Sequence, residues 1–162
     1  MGKVVLLAEL ATIVAGLKSH GKRIVTTNGA FDILHIGHVR ALQQAKSFGD
    51  VLIVGVNADS SVKQYKSDKR PVIAEQDRAE MLAALACVDY VTIFTETDPR
   101  DFLELVKPHT HVKSGDYDAE KMIETPTVRK SGGEVKIVPL VAGKSTTMII
   151  NKICETYGQE HH

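Results

Sequence analysis

Apolar positions fall along the chain at two different spacings. Leu6, Leu7, Leu10, Ile13, Val14 and Leu17 recur every three or four residues, as on a helix with one buried face, and Gly21 stands where such a helix would stop. This predicts an N-terminal helix within residues 1–20. Short β-branched runs follow, alternating with helical ones. Strands are expected over 24–27, 51–56, 90–94, 110–113 and 135–138, and helices over 39–48, 77–87, 99–106, near 127–130 and over 146–156. Val/Ile runs without polar alternation are apolar on both faces, which is the mark of parallel strands covered by helices above and below. The expected fold is therefore α/β: a Rossmann-like, doubly wound parallel sheet of five strands with helices on both faces. The most polar stretch, 63–70, reads as a surface loop, and no internal repeat or low-complexity linker interrupts the pattern.

Composition narrows the partners. With 162 residues and 43% apolar content, the chain is expected to form one domain over 1–162. Lysine plus arginine equal aspartate plus glutamate at 20 each, so no overall field favours nucleic acid or an anionic membrane. The eight aromatic residues are scattered, not interleaved with basic ones, which also argues against a nucleic-acid surface. No apolar run has the length needed to span a bilayer and no signal segment opens the chain, so a cytoplasmic protein is expected. Cys87 and Cys154 lie far apart inside apolar helical patterns, without a CxxC or a His/Cys cluster, and both read as buried thiols. His161 and His162 read as a tag remnant and are set aside.

The candidate chemistry begins at NGAFDILHIGH, Asn28 to His38, which follows the run Arg23-Ile24-Val25-Thr26-Thr27. In an open parallel sheet the turn from the first such strand into its helix is the usual phosphate position. Gly29 and Ala30 leave room for close backbone approach, and Gly37 admits the chain to the next helix without a Cβ. His35 and His38, three apart, project from its first turn on neighbouring faces. Two imidazoles at a helix N-terminus make an anion site, and phosphate is the obvious anion. A metal site is not expected: Asp32 is the one carboxylate nearby, and no cysteine or carboxylate constellation of familiar spacing completes a ligand set.

With these residues the chain resembles the H-x-G-H nucleotidyltransferases, in their cytidylyltransferase-like group, and within it the bacterial heptose 1-phosphate adenylyltransferases. The resemblance runs from Gly21 to about Ile153. It rests on TNGAFDILHIGHVRALQQAKSFGD (27–50), VGVNADSSVKQYK (54–66), KRPV and DRAEMLAAL (69–85), VDYV (88–91), VKSGDY (112–117), GGEV (132–135) and GKSTTMIINKI (143–153), in that order. It implies attack by a phosphate-bearing substrate on the α-phosphorus of a nucleoside triphosphate, with pyrophosphate leaving. Such transfers depend on alignment and positive charge more than on covalent help.

The same resemblance distributes roles. His35 and His38 would stabilise the α-phosphate, and Thr27, Asn28, Gly29, Phe31 and Gly37 would line the nucleotide and substrate phosphates. Asp32 either fixes the loop or contacts the acceptor. Lys63 and Lys66 are the candidates for a phosphate-contacting lysine; Lys66 is preferred, although Ser67 stands where the family has glycine. Arg78 would contact phosphate, whereas Arg70 before Pro71 reads as a loop-positioning residue. Asn57 and Asp59 would either bond a ribose hydroxyl or cap the following helix. Asp116 matches a site aspartate, beside Ser114 in place of a family glycine. Ser145, Thr146 and Thr147 open the last helix, where they serve as caps, as triphosphate contacts, or as both. Leu140 and Val141 occupy a segment where glycerol 3-phosphate cytidylyltransferases carry arginine, which favours the heptose branch.

The resemblance thus implies an ATP-dependent adenylyltransferase acting on a heptose 1-phosphate, with Mg2+ bridging the triphosphate and a homodimeric assembly. Two alternatives remain at this level: a cytidylyltransferase for glycerol 3-phosphate or another alcohol phosphate, and a nucleotide-binding regulatory module without turnover.

Overall fold

The Val/Ile runs form the centre of a parallel sheet in the computed structural model, which describes residues 1–158. Its strands are β1 (Lys3–Val4), β2 (Ile24–Gly29), β3 (Val51–Asn57), β4 (Tyr90–Phe94), β5 (Thr110–Ser114) and β6 (Glu134–Val138). They are joined through α1 (Leu7–Ser19), α2 (Ile36–Lys46), α3 (Asp59–Tyr65), α4 (Glu75–Ala83), α5 (Arg100–Val106), α6 (Thr125–Lys130) and α7 (Thr146–Tyr157), with a 3-10 turn at Ala119–Lys121. The strand order is β1-β4-β3-β2-β5-β6, every pair parallel.

This is the expected doubly wound α/β fold with one more strand. The sixth, β1, is a two-residue edge segment that pairs Lys3 with Tyr90 and Val4 with Val91. Two residues carry no period, so nothing in the pattern separates them from the start of the N-terminal helix, which begins only at Leu7. Nor did periodicity reveal α3, seven residues long, whose last turn takes in Lys63 to Tyr65 from the expected surface loop. The notion of a tag at His161 and His162 lies outside the described residues.

All seven residues of β3 are buried, and alternate side chains serve two cores. Leu52, Val54 and Val56 join Val25, Val91 and Val112 beneath Leu42 and Ala45 of α2 and Ala79 and Leu82 of α4. Val51 and Ile53 join Ile24 beneath Leu10 and Val14 of α1, Phe102 and Leu103 of α5 and Val128 of α6. Gly55 creates the space on this second face: a Cβ there would stand 3.1 Å from both Phe94 and Phe102, whose rings stack at 5.8 Å. A buried polar pair also sits in the second face, where Thr26 Oγ1 and His111 Nδ1 lie 2.8 Å apart across the β2–β5 pairing. Burial pushes His111 down to about 3, so it is neutral at physiological pH.

The thiols divide. Cys87 is half-buried as a packing residue, but Cys154 is exposed, contrary to the expected burial. Its helix, α7, carries an apolar stripe with no buried residue at all, so helical periodicity there does not report a core. Among the described residues no helix is long and apolar enough to cross a membrane.

Candidate active site

Strand order reverses at β2: β3 and β4 lie to one side of it, β5 and β6 to the other. Crevices form at such reversals, beyond the carboxyl ends of the strands. A cavity of about 530 Å3 opens there, lined by Thr27 to Asp32 from the end of β2, Asn57 from β3 and Lys113 from β5. Its remaining walls come from the start of α2, the loop at Lys66 to Arg70, Asp98, and the segment Lys144 to Thr147 that opens α7.

The floor is the turn between β2 and α2, and its geometry explains the H-x-G-H spacing. His35 is the N-cap of α2, and its Nδ1 accepts the Gly37 N–H at 3.1 Å. That bond fixes the proton of the neutral ring on Nε2, leaving a donor directed away from the helix. The ring folds over residue 37, where a Cβ would lie 2.9 Å from His35 Cε1 and Nδ1, so a side chain at this position would displace the ring. One turn on, the His38 ring stacks on His35 at 3.8 Å, and Phe31 packs edge-on against it at 5.2 Å. Phe31 holds this position with φ at 49°, a left-handed conformation uncommon for a bulky residue and typical of strain concentrated at functional turns. Burial, followed by His35 and Lys66, pushes His38 down to about 4, and burial also lowers His35. Both rings are thus neutral hydrogen-bonding groups in the free protein. His38 Nδ1 is buried without a hydrogen-bond partner among the described residues.

Charge in the cavity is unevenly paired. Arg70 is tied to Asp32 and Lys113 to Glu124, whereas Lys66 and Lys144 have no carboxylate within ion-pair distance among the described residues. Two unpaired ammonium groups beside two imidazoles suit an anionic ligand carrying several charges. At the far wall Ser145 Oγ caps α7 by accepting the Met148 N–H at 3.1 Å, and Thr146 Oγ1 donates to the Ile33 carbonyl at 3.2 Å, fastening that helix start to the β2–α2 turn.

The match to the cytidylyltransferase-like family model spans residues 26–153, most of the chain and all of this site. The chain belongs to that family. With that family and the relatives that follow, this chain is a nucleotidyltransferase. It is 48% identical to the "Bifunctional protein HldE" of Geobacter sulfurreducens over 158 residues, and 51% identical to that of Geobacter metallireducens over the same length. In each case the match takes in 98% of this chain but 32% of the relative, so the chain spans about a third of those proteins. Among solved structures it resembles the lipopolysaccharide core biosynthesis protein of Thermoplasma volcanium, with TM-score 0.63 and 30% identity over 75% of this chain and 98% of that one. The pantothenate synthetase of Thermus thermophilus shares the fold, with TM-score 0.61 at 16% identity over 86% of this chain and 62% of that one.

Within this cytidylyltransferase-like site, most of the residues singled out from sequence line one cavity: Thr27, Asn28, Gly29, Phe31, Asp32, His35, Gly37, His38, Asn57, Lys66, Ser145, Thr146 and Thr147. Four do not, and each has a physical reason. Arg78 is fully buried under the site. Its Nε donates to Ile73 O at 2.9 Å, its Nη1 to Ala30 O, and its Nη2 to Asp59 Oδ1 at 2.6 Å. Nε and both terminal nitrogens are thus each tied to a protein acceptor, so Arg78 holds the β2–α2 turn from beneath and lies outside the cavity lining. Asp59, in the first turn of α3, is paired with Arg78 and lies outside the cavity lining. Lys63 points outward from α3, and Asp116 is exposed beyond β5, both outside the cavity lining.

Asp32, whose role the sequence left open, fixes the loop. It is almost fully buried and accepts from Arg70 Nε at 2.5 Å, Val72 N at 2.8 Å and Ile73 N at 2.9 Å. Arg70, on the loop after α3, makes this ion pair from within the cavity lining. Sequence reasoning missed Lys113, Glu124, Asp98 and Lys144 as lining residues. The position of Lys113 at the carboxyl end of a strand was a usable signal. Glu124, brought in from the end of another loop, offered none.

Proposed function

We propose that this nucleotidyltransferase is an adenylyltransferase that transfers AMP from ATP to a heptose 1-phosphate. The carrying observation is the stacked, neutral His35–His38 pair at the β2–α2 turn, facing a cavity with two unpaired lysines. A phosphate oxygen of the sugar phosphate attacks the α-phosphorus of ATP; the bond from that phosphorus to the α,β-bridging oxygen breaks, and pyrophosphate leaves. His35 donates from Nε2 to an α-phosphate oxygen, while Lys66 and Lys144 offset charge on the triphosphate as it shifts towards the leaving group. Mg2+ belongs to this reading as a companion of ATP and would add positive charge at the triphosphate beside Lys66 and Lys144.

The choice of sugar and base rests on likeness. Relatives named for a bifunctional HldE protein and for lipopolysaccharide core biosynthesis support a nucleotide-activated heptose as product. This reading includes a homodimer acting in the cytoplasm, which light scattering of the purified chain and cell fractionation would test. Pyrophosphate release should be measured with Mg2+ and each of ATP, CTP and GTP against both anomers of heptose 1-phosphate and against glycerol 3-phosphate. Release with ATP and one heptose anomer alone is expected. Release with CTP and glycerol 3-phosphate would replace this reading by the cytidylyl one, and silence throughout would leave a binding module.

A further inference from the structure

The opposite end of the sheet carries a second pocket, of about 230 Å3, lined by Lys18, Lys22, Lys107, His109, Ser131 and Gly132. These residues lie in the last turn of α1 or just beyond the C-terminal ends of α1, α5 and α6, and precede β2, β5 and β6, so the pocket opens at the amino ends of three strands. The catalytic cavity lies at their carboxyl ends. A six-residue strand separates the two by roughly 20 Å, beyond the reach of screened electrostatics at physiological salt.

The chemistry here is one-sided. None of the lining residues is acidic, and none of the three lysines has a carboxylate within ion-pair distance among the described residues. Helix carboxyl ends attract cations, and Lys18 Nζ does donate to the Lys107 carbonyl at 2.7 Å. Three helix ends, however, supply at most about half a negative charge each, roughly 1.5 in all, against three ammonium groups. The surplus is positive in a chain whose formal net charge is zero.

A directed donor stands among these lysines. His109 Nδ1 accepts the Ile24 N–H at 3.0 Å, which places the proton of the neutral ring on Nε2, and that N–H has no protein partner among the described residues. Burial lowers the His109 pKa, with Lys18 and Arg23 acting in the same direction and Asp50 against them. The ring is thereby kept as a neutral donor at physiological pH. Lys107 holds its position through a left-handed backbone, with φ at 48°, that ends α5. At about 30 Å3 per water the pocket has room for a phosphate and several waters.

We infer that this pocket is a second anion site, separate from the catalytic cavity, that takes a phosphoryl dianion through Lys18, Lys22, Lys107 and His109 Nε2–H. The dianion is either free phosphate or the phosphoryl head of a small ester.

The test is NMR of the isotope-labelled full chain, following the Lys22 and Gly132 amides and the His109 ring during titration with inorganic phosphate, with phenyl phosphate, and with chloride at matched ionic strength. Saturable shifts at these signals with phosphate but not chloride are expected, weakened about tenfold in a Lys22→Gln/Lys107→Gln variant, whose substitutions fall on exposed side chains. Saturation by phenyl phosphate as well would assign the site to phosphoryl heads in general; saturation by phosphate alone would assign it to the free ion. Shifts that track ionic strength whatever the salt, that persist unchanged in the double variant, or that appear only at His35 and His38 would each overturn the inference.

Discussion

Replacing Arg78 separates a supporting role from a phosphate-binding one. Arg78→Leu keeps an apolar stem of similar bulk but removes every donor, leaving Asp59 and the carbonyls of Ile73 and Ala30 without their partner. Each stranded, partly buried carbonyl costs about 1–3 kcal/mol, and removing one partner of a fully buried ion pair would cost about 3–5 kcal/mol. Asp59 keeps 34% of its side chain exposed and can rehydrate, so its share falls to about 1 kcal/mol, and with the two carbonyls near the low end of their range the total is about 3–4 kcal/mol. At about 2–4 °C per kcal/mol for a chain of this length, Tm should fall by roughly 6–16 °C. Arg78→Lys reaches fewer of the three acceptors and should lie between the parent and Arg78→Leu. Thermal and urea unfolding followed by circular dichroism give both values, with pyrophosphate release measured on the same samples at a temperature where each variant is folded. A variant with the parental Tm and abolished turnover would refute the reasoning, because it would mean that the guanidinium serves the substrate and not the fold.

Other consequences are equally direct. His35→Ala should unfold within about 2 kcal/mol of the parent, the cost of a lost N-cap, yet lose about 100-fold or more in turnover; parental turnover would remove this ring from the chemistry. Gly37→Ala places a Cβ 2.9 Å from the His35 ring, so it should displace that ring from His38 and cut turnover while changing Tm little. Gly55→Ala, 3.1 Å from both phenyl rings, should cost about 1–3 kcal/mol by overpacking, read as a lowered urea midpoint with turnover per folded molecule retained. Stability should depend on pH through two desolvated imidazoles, the fully buried His111 and the half-buried His38. His38 and His111 are lowered to about 4 and about 3 from a free value near 6.5, so the unfolded chain binds more protons than the native one below that value. Tm should hold above pH 7, fall as pH drops through 6.5 and level off near pH 3, with the slope reduced in His111→Asn; a flat Tm from pH 7 to 4.5 would contradict the burial of both rings.

The parts of this fold that were legible in sequence are those whose side chains face apolar surroundings on both sides of the sheet. The run Val51 to Val56 could be nothing but a covered strand, and it is buried throughout. The β2–α2 turn was legible for a different reason: its glycines and histidines are specified locally, by Gly37 N–H on His35 Nδ1 and by the room above residue 37. Arg78 shows the limit. A basic residue near a phosphate site invites a ligand contact, yet its partners, Ala30 and Asp59, lie 48 and 19 residues away and are set by how the chain folds over the turn. The same holds for Asp32, whose loop partners begin 38 residues later. Cys154 failed for the opposite reason, since an apolar helical stripe announces that something covers it without saying whether the cover belongs to the same chain.

AMP transfer at the His35–His38 pair can be read by 31P NMR of the full chain incubated with MgATP and heptose 1-phosphate, run beside His35→Ala. The account predicts coupled resonances of a new sugar–nucleotide pyrophosphate diester together with free pyrophosphate for the parent, and unchanged ATP and sugar phosphate for the variant. Release of ADP and phosphate by the parent, or equal product from His35→Ala, would contradict it.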